Sequence, residues 1–333
     1  MASRLRRRKR SPWGFTLLLL LILIGLCYAV VRVYFRAPDQ KTAEDPVMIQ
    51  RVNGPIPSEG LSDEEAEALR SHYERKPGFY TILVSGVDDG NGGSDTNILA
   101  AVDTENNYIY GVSIPRDTKA FINGKNHKIN FAYNSGGMEL MSQTVSDQLG
   151  IPVDYTVLVD LRAFQALVDT IGGVDFYIPV NMDYDDPYQN LAIHFSKGMR
   201  HLNGAEALKV VRFRHNNDGS GYGSEDIGRM QTQQDFLKAV AKQTLTPASL
   251  TKLDQFCKIF QQYVETDLTV GNLVWLGGEA IGMGADNIDF STLPGDWKSP
   301  YIYLNREEVL ALVNQYLNPY VEDRAAEDLN ILT

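Results

Sequence analysis

Cysteine is nearly missing from this chain, with Cys27 and Cys257 the only two in 333 residues. Cys27 lies in an apolar run and Cys257 far outside it, so no intramolecular disulfide is expected. A chain of this length draws stability from the size of its core instead. Histidine is also scarce, five residues scattered along the sequence. There is no His-Glu-x-x-His, no Cys-x-x-Cys and no Gly-x-Ser-x-Gly, which removes the usual zinc-hydrolase, thiol-redox and serine-hydrolase signatures. The glycine-rich stretch Gly90-Asn91-Gly92-Gly93 has no Gly-Lys-Ser/Thr after it, so it is not a nucleotide P-loop. Acidic residues are absent from the first 36 positions, although the whole chain carries a net −11.

That last absence divides the molecule. Residues 1–36 hold eight Arg or Lys, which leaves −19 on residues 37–333. Phe15–Val31 is an uncharged, largely Leu/Ile/Val run flanked by Trp13 and Tyr34. It is near the lower length limit for a membrane-spanning helix, about 17 residues. Six positive charges precede it and two follow, which predicts a cytoplasmic amino terminus and an extracytoplasmic remainder. A cleaved signal peptide fits less well, because no small-x-small site precedes Arg32. A lipoprotein signal is opposed by Leu26 before Cys27. The expected organisation is a basic cytoplasmic head (1–12), a transmembrane anchor (13–34), and an extracytoplasmic spacer with a short helix (35–76). A large folded domain (77–320) and an acidic, frayed tail (321–333) follow. The spacer is inferred from Pro38, Pro46, Pro55 and Pro57, its helix from the Ser62-x-x-Glu65 capping box.

Beyond residue 77 the patterns alternate. Strands are predicted at Tyr80–Val87, Asn97–Asp103, Tyr108–Ile114, Tyr155–Val159, Val174–Ile178 and Ile288–Leu293. Helices are predicted near 138–149, at 161–170 capped by Asp160, and from Asn203 to about Phe213. Others are expected at 226–243, 251–264, 270–281 and 306–316. Such alternation implies an α/β fold with a central sheet covered by helices on both faces.

The residues able to do chemistry are acids and arginines at the ends of these elements. Asp88 and Asp89 follow the first strand and Asp95 precedes the second. Arg116 and Asp117 follow the third. Arg212 and Arg214 end the Asn203 helix. Asp226, Arg229 and Gln233 recur at i, i+3 and i+7 on one helix face, with Ile227 and Leu237 assigned to the packing side. Carboxylates near a strand end suit a hard cation such as Mg²⁺. Guanidinium forks suit the oxygens of a pyrophosphate. Surface ion pairs and helix caps would use the same residue types, so no one of these positions decides the matter.

The strings ILVSGVDD (82–89), SDTNIL (94–99), VSIPRDT (112–118) and KINFAYNSGG (128–137) come in a telling order with LVDTIGGVDF (167–176), HLNGAEALKVVRFR (201–214) and DIGRMQTQQ (226–234). Together they resemble the LytR–CpsA–Psr family over residues 80–243, with weaker likeness through TDLT (266–269) and TLPG (292–295). The resemblance implies a three-layer α/β/α sandwich with a central mixed sheet and a hydrophobic cavity for a polyprenyl chain. It implies transfer of a phosphoglycosyl polymer, of teichoic acid or capsule type, from undecaprenyl pyrophosphate to peptidoglycan, with Mg²⁺ at the head group. Carried over by position, Asp95 and Asp88 are metal ligands, and Arg116, Arg212 and Arg214 bind the pyrophosphate. Asp226, Arg229 and Gln233 lie on the helix that closes the site, and Asp117 orients Arg116 or takes a proton. The family usually has arginine where this chain has Gly93 and often where it has Thr232, so fewer cations are expected here. Alternatives are a polyprenyl-pyrophosphate binding module or a pyrophosphohydrolase with little transferase activity. A nucleic-acid partner is not expected, because the ten-residue basic head is too short to form a DNA-binding fold.

Overall fold

The computed structural model describes residues 34–41, 73–87, 94–188, 191–223 and 225–332, without the side chains at 95, 225–227 and 250. All but the last residue of the expected anchor, the helix expected from Asp63, and Asp88 and Asp89 lie outside this set. Among the described residues no helix is long and apolar enough to cross a membrane.

The first three strands form a meander: β1 (Phe79–Val87), β2 (Ser94–Asp103) and β3 (Tyr108–Ser113). A hairpin of β4 (Lys119–Ile122) and β5 (Lys125–Lys128) leads into α1 (Asn130–Leu149). Then come β6 (Tyr155–Asp160), α2 (Leu161–Ile171), β7 (Val174–Ile178), β8 (Met182–Asp186), β9 (Leu191–Phe195) and β10 (Gly198–Leu202). Helices α3 (Gly204–Arg212), α4 (Glu225–Thr244) and α5 (Leu253–Tyr263) precede β11 (Val264–Thr266) and α6 (Val270–Met283). The chain continues with β12 (Ile288–Thr292), β13 (Gly295–Lys298), β14 (Tyr301–Leu304) and α7 (Arg306–Leu312).

Six strands make one mixed sheet in the order β11-β6-β1-β2-β3-β12. β1 runs antiparallel to β2 and parallel to β6, and β3 runs parallel to β12. The two-residue side-chain period of β1 explains how it is covered. Phe79 and Leu83 point into a core shared with α1, α7 and the carboxyl-terminal segment, while Tyr80 and Ile82 point to the other face, where α6 packs with Leu273, Trp275 and Leu276. A mixed α/β fold with a central mixed sheet is therefore present.

Several expectations need correction. β7 was expected in the central sheet, yet among the described residues it pairs with β10 and with no strand of that sheet. With β8, β9, α2, α3 and α4 it encloses a second core containing Phe176, Phe213 and Phe236. Side chains alternate the same way in either setting, so the pattern of β7 could not name its partner. The helix expected near 138–149 begins earlier, at Asn130, and is broken at Gly136 and Gly137. The helix expected over 306–316 is α-helical only to Leu312 and ends in a π-turn, Val313–Leu317.

The acidic tail is not frayed. Leu329 and Ile331 are buried in the first core, and Arg306 Nη2 donates to the Ile331 carbonyl at 2.7 Å. Gly150, with φ +66°, lets the end of α1 approach the Asp328 backbone where a Cβ would collide. Burying two aliphatic side chains contributes about 1.5–3 kcal/mol each, which outweighs the solvation preference of the acids around them.

Candidate active site at the upper edge of the sheet

The strand directions bring the expected residues to one edge. The carboxyl ends of β1, β3, β6 and β12 and the amino end of β2 all lie there, because β2 alone of these five runs the other way. Open α/β sheets place ligands at such an edge. Asp95 is the extra residue of a β-bulge: Thr96 pairs with Gly86 and Ser94 with Val87, leaving Asp95 unpaired in the ladder. Bulges recur beside active sites, where they alter the strand's course. Behind the bulge Ser85 Oγ donates to Asn97 Oδ1 at 2.8 Å, and the Asn97 carbonyl accepts from Ile114 N at 2.7 Å. These bonds fix the Ser113–Asp117 turn to β2.

On that turn Arg116 Nε lies 3.9 Å from Asp117 Oδ1, while Lys128 Nζ of β5 approaches the same oxygen to 2.9 Å. Asp117 therefore holds Lys128 more closely than it holds Arg116. Its backbone carbonyl accepts from Ile302 N at 2.8 Å, which ties the turn to β14.

Helix α4 reaches the same edge. Gln234 Nε2 donates to Thr292 Oγ1 at the end of β12, and Gln233 Nε2 donates to the Val211 carbonyl in the last turn of α3, each at 2.9 Å. The two glutamines thus join β12, α4 and the Arg212–Arg214 segment. Arg212 and Arg229 are half-buried and Arg214 is exposed. The helix α3 that carries Arg212 is set by a complete capping box between Asn203 and Glu206. It lies close to α2, because a Cβ on Gly204 would collide with the Gln165 backbone.

Two sequence readings change. Gln233 was expected to face a ligand, but its side-chain amide is engaged by the Val211 carbonyl, which makes it a positioning residue. The buried stripe of α4 runs through Thr232, Phe236 and Val240 rather than Leu237, and Gln233 flanks that stripe. Thr232 is only 3% exposed, and its hydroxyl donates to the Gly228 carbonyl at 2.9 Å. Neighbouring Tyr222 has its phenol pKa raised by burial. An arginine at 232 would enter packed space. Gln234 was missed as a site residue; the doubled glutamine was the available signal. Asp226 is in α4, its side chain outside the described set, and among the described residues no cluster of three or more His, Cys, Asp or Glu could hold a metal.

At its other end α4 borders an apolar cavity of about 240 Å³ between α5 and α6, lined by Leu253, Phe256, Phe260, Leu273, Val274 and Ile281 among others. Arg229 and the cavity-lining Thr244 are 15 residues apart, about 22 Å along a helix.

The LytR_cpsA_psr family model matches residues 56–319. The chain belongs to the LytR–CpsA–Psr family. Two similar curated relatives are polyisoprenyl-teichoic acid–peptidoglycan teichoic acid transferases. TagU of Bacillus cereus is 40% identical over 194 residues, covering 57% of this chain and 60% of the relative. TagV of Bacillus subtilis is 32% identical over 232 residues, covering 67% of this chain and 58% of the relative. The chain thus spans about three fifths of the length of these relatives. The crystal structure of Bacillus subtilis TagV superposes with a TM-score of 0.62 at 28% identity, covering 74% of this chain and all of the other. That likeness agrees with the mixed sheet and both helical covers. The matched residues include the Arg116–Asp117 turn, the end of α3 and the start of α4.

Proposed function

We propose that this chain transfers a phosphoglycosyl polymer of teichoic acid or capsule type from polyprenyl pyrophosphate to peptidoglycan. The observation that carries the reading is the meeting at one sheet edge of the segments that bear Arg116, Arg212, Arg214 and Arg229, where Gln234 bonds α4 to the end of β12 and Gln233 bonds it to the last turn of α3. The transferase names of the similar relatives support it.

Arg116, Arg212 and Arg214 bind the pyrophosphate oxygens through guanidinium forks and stabilise charge as the phosphoryl group moves. Arg229 adds a cation from α4. The acceptor hydroxyl forms a bond to the phosphorus bearing the glycan, the bridging P–O bond breaks, polyprenyl phosphate leaves, and the hydroxyl proton passes through solvent to the departing phosphate. Such transfers need placement and electrostatics more than covalent catalysis. Asp117, paired with Lys128, steadies the Arg116 turn. The apolar cavity beside α5 and α6 suits part of an isoprenoid chain.

Asp95 and Asp88 are the residues that would hold Mg²⁺. Ser94 Oγ supports this, being buried beside Asp95 without a hydrogen-bond partner among the described residues. A bound Mg²⁺ would neutralise phosphate charge. Residues 13–34 anchor the chain in the membrane with the domain outside, a reading supported by the flanking charges.

The test is transfer of a radiolabelled glycan from synthetic polyprenyl pyrophosphate to purified sacculi. Wild type should label the sacculi in a Mg²⁺-dependent manner, and Asp95→Ala should not. Release of free glycan phosphate without labelling would replace transferase by hydrolase.

A further inference from the structure

The segment just after the apolar run is bound to the domain at the end of the sheet opposite the arginines, where β1 and β6 begin. Asn272 Nδ2 of α6 donates to the Arg36 carbonyl at 3.0 Å, and Tyr155 Oη donates to the Asp39 carbonyl at 2.7 Å. Gln40 Nε2 donates to the Lys76 and Phe79 carbonyls at 2.9 and 2.7 Å, and Lys41 Nζ to the Val153 carbonyl at 2.8 Å. Between these bonds Ala37 packs on the core beneath α6, and Pro38 is buried. Residues 36–41 therefore form a strap, and contacts along its length offset the entropy lost in ordering it.

The strap begins beside the apolar cavity. Gly271, the second residue of α6, has no room for a side chain, because a Cβ would collide with the Tyr34 carbonyl. Its neighbour Val270 lines the cavity and is 38% exposed. Helix α6 gives Leu276 and Met283 to the sheet, and Val270, Val274 and Ile281 to the cavity. Val31, the last residue of the apolar run, precedes Tyr34 by three residues, so the two lie within about 11 Å of each other whatever path the chain takes. Tyr34 is 70% exposed and Phe35 36% exposed. Tyrosine at the end of an apolar run is a common marker of the membrane–water interface.

We propose that the strap holds the amino end of α6 against the bilayer surface, so that the isoprenoid tail of the donor passes from the bilayer into the cavity at Val270; the inference rests on the transfer and anchor readings above. Chain connectivity selects the bilayer as the occupant of this face, because the apolar run ends within reach of it. The cavity then covers part of the tail between the bilayer and the arginine edge, and less apolar surface meets water during transfer.

The test places the full chain, with Cys27→Ser and Cys257→Ser, in vesicles of phosphatidylglycerol and phosphatidylethanolamine with brominated acyl chains. A bimane fluorophore on Val270→Cys should be quenched by the lipid. One on Lys125→Cys, in the hairpin beside the Asp117 turn, should not. Inserting about ten Gly and Ser residues between Arg32 and Val33 keeps the strap and lengthens the tether. Quenching at position 270 should then be lost. Transfer from polyprenyl pyrophosphate held in the vesicles should fall about tenfold, since effective concentration falls with roughly the 3/2 power of tether length. Transfer from a short-chain, water-soluble prenyl pyrophosphate and the melting temperature should match wild type. Gly271→Ala, which displaces the strap but suits a helix, should reproduce both losses. Absence of quenching at position 270 in the otherwise wild-type chain, or full quenching and transfer with the long tether, would overturn the docking and leave the transfer reading intact. Tether-dependent quenching in a protein that uses neither donor keeps the docking and sinks the transfer reading. A chain that does not float with the vesicles would sink the anchor and the docking together.

Discussion

The two ends of the central sheet use arginine in opposite ways. At the lower end Arg75 and Asp154 are sealed in the protein, their side chains 7% and 0% exposed, with Nη2 and Oδ2 2.7 Å apart. Asp154 Oδ2 also accepts from Thr81 N and Thr81 Oγ1. Arg324 stacks over Tyr320 at 4.5 Å and binds the carboxyl-terminal segment to the same knot. At the upper end Arg116 is a third exposed and stands 3.9 Å from its neighbouring carboxylate. A buried guanidinium must be satisfied by the fold itself, and breaking such a pair is costly. A guanidinium at the surface keeps contact with water and can exchange it for a ligand. The same side chain is thus an element of stability below and of recognition above.

Asp154→Ala should break this contrast most severely. It strands Arg75 without its buried partner and should cost about 3–5 kcal/mol, seen as an earlier denaturant midpoint. Transfer per folded molecule should be retained. Loss of transfer at full stability would mean that the two ends are not separate.

Arg116→Lys makes the complementary change. It keeps the charge and removes the fork, so transfer should fall on the order of 10²-fold. The melting temperature should stay at the wild-type value, because the side chain is not part of a core. A variant that melts early would place Arg116 with Arg75 among the structural arginines.

A smaller effect is expected where the two roles meet. Gln234→Ala and Thr292→Ala each remove the bond that docks α4 on β12, worth about 1 kcal/mol. A double-mutant cycle should show the losses to be non-additive in stability. Transfer should fall in both through displacement of Arg229, with donor binding weakened by the same factor.

The smallest expected effect lies away from both ends, on the β8–β9 hairpin. His194 Nδ1 is 2.7 Å from Asp183 Oδ1 and Nε2 is 3.3 Å from Asp185 Oδ1. The hydrogen bond to Asp183 raises the imidazole pKa first, with Asp185 adding to it. A raised folded pKa gives stability that is fully present below the unfolded value of about 6.5 and is lost as pH rises through the folded value. His194→Ala should therefore lower the melting temperature slightly at about pH 5.5 and not at about pH 9. An equal difference at both pH values would assign the effect to packing instead.

Much of the fold was legible because it depends on local patterns. The strands at 80–87, 97–103 and 155–159, the Asp160 cap and the Asn203–Glu206 capping box emerged within a residue or a few of their observed bounds. The placement of Arg116 and Asp117 after β3 was legible for the same reason. The three short hairpins β4–β5, β8–β9 and β13–β14 were not foreseen, since four or five residues carry little periodicity. Gln233 was misread because helical spacing gives a shared face without saying what covers it. Thr232 and Gln233 are adjacent in sequence, yet one is buried and the other bonds a neighbouring helix end.

By itself the sequence determined most of the longer secondary elements, the family and the set of arginines and acids at their ends, because capping, side-chain alternation and motif order are properties of short stretches. Only the tertiary structure decided that β7 leaves the sheet for a second core and that the acidic tail is built into the first. It also decided that Gln233 and Gln234 couple α4 to two different elements and that the β4–β5 and β13–β14 hairpins stand beside Asp117. Those facts depend on contacts between residues tens to hundreds of positions apart, and burial, not local propensity, selects among the pairings that the same pattern allows.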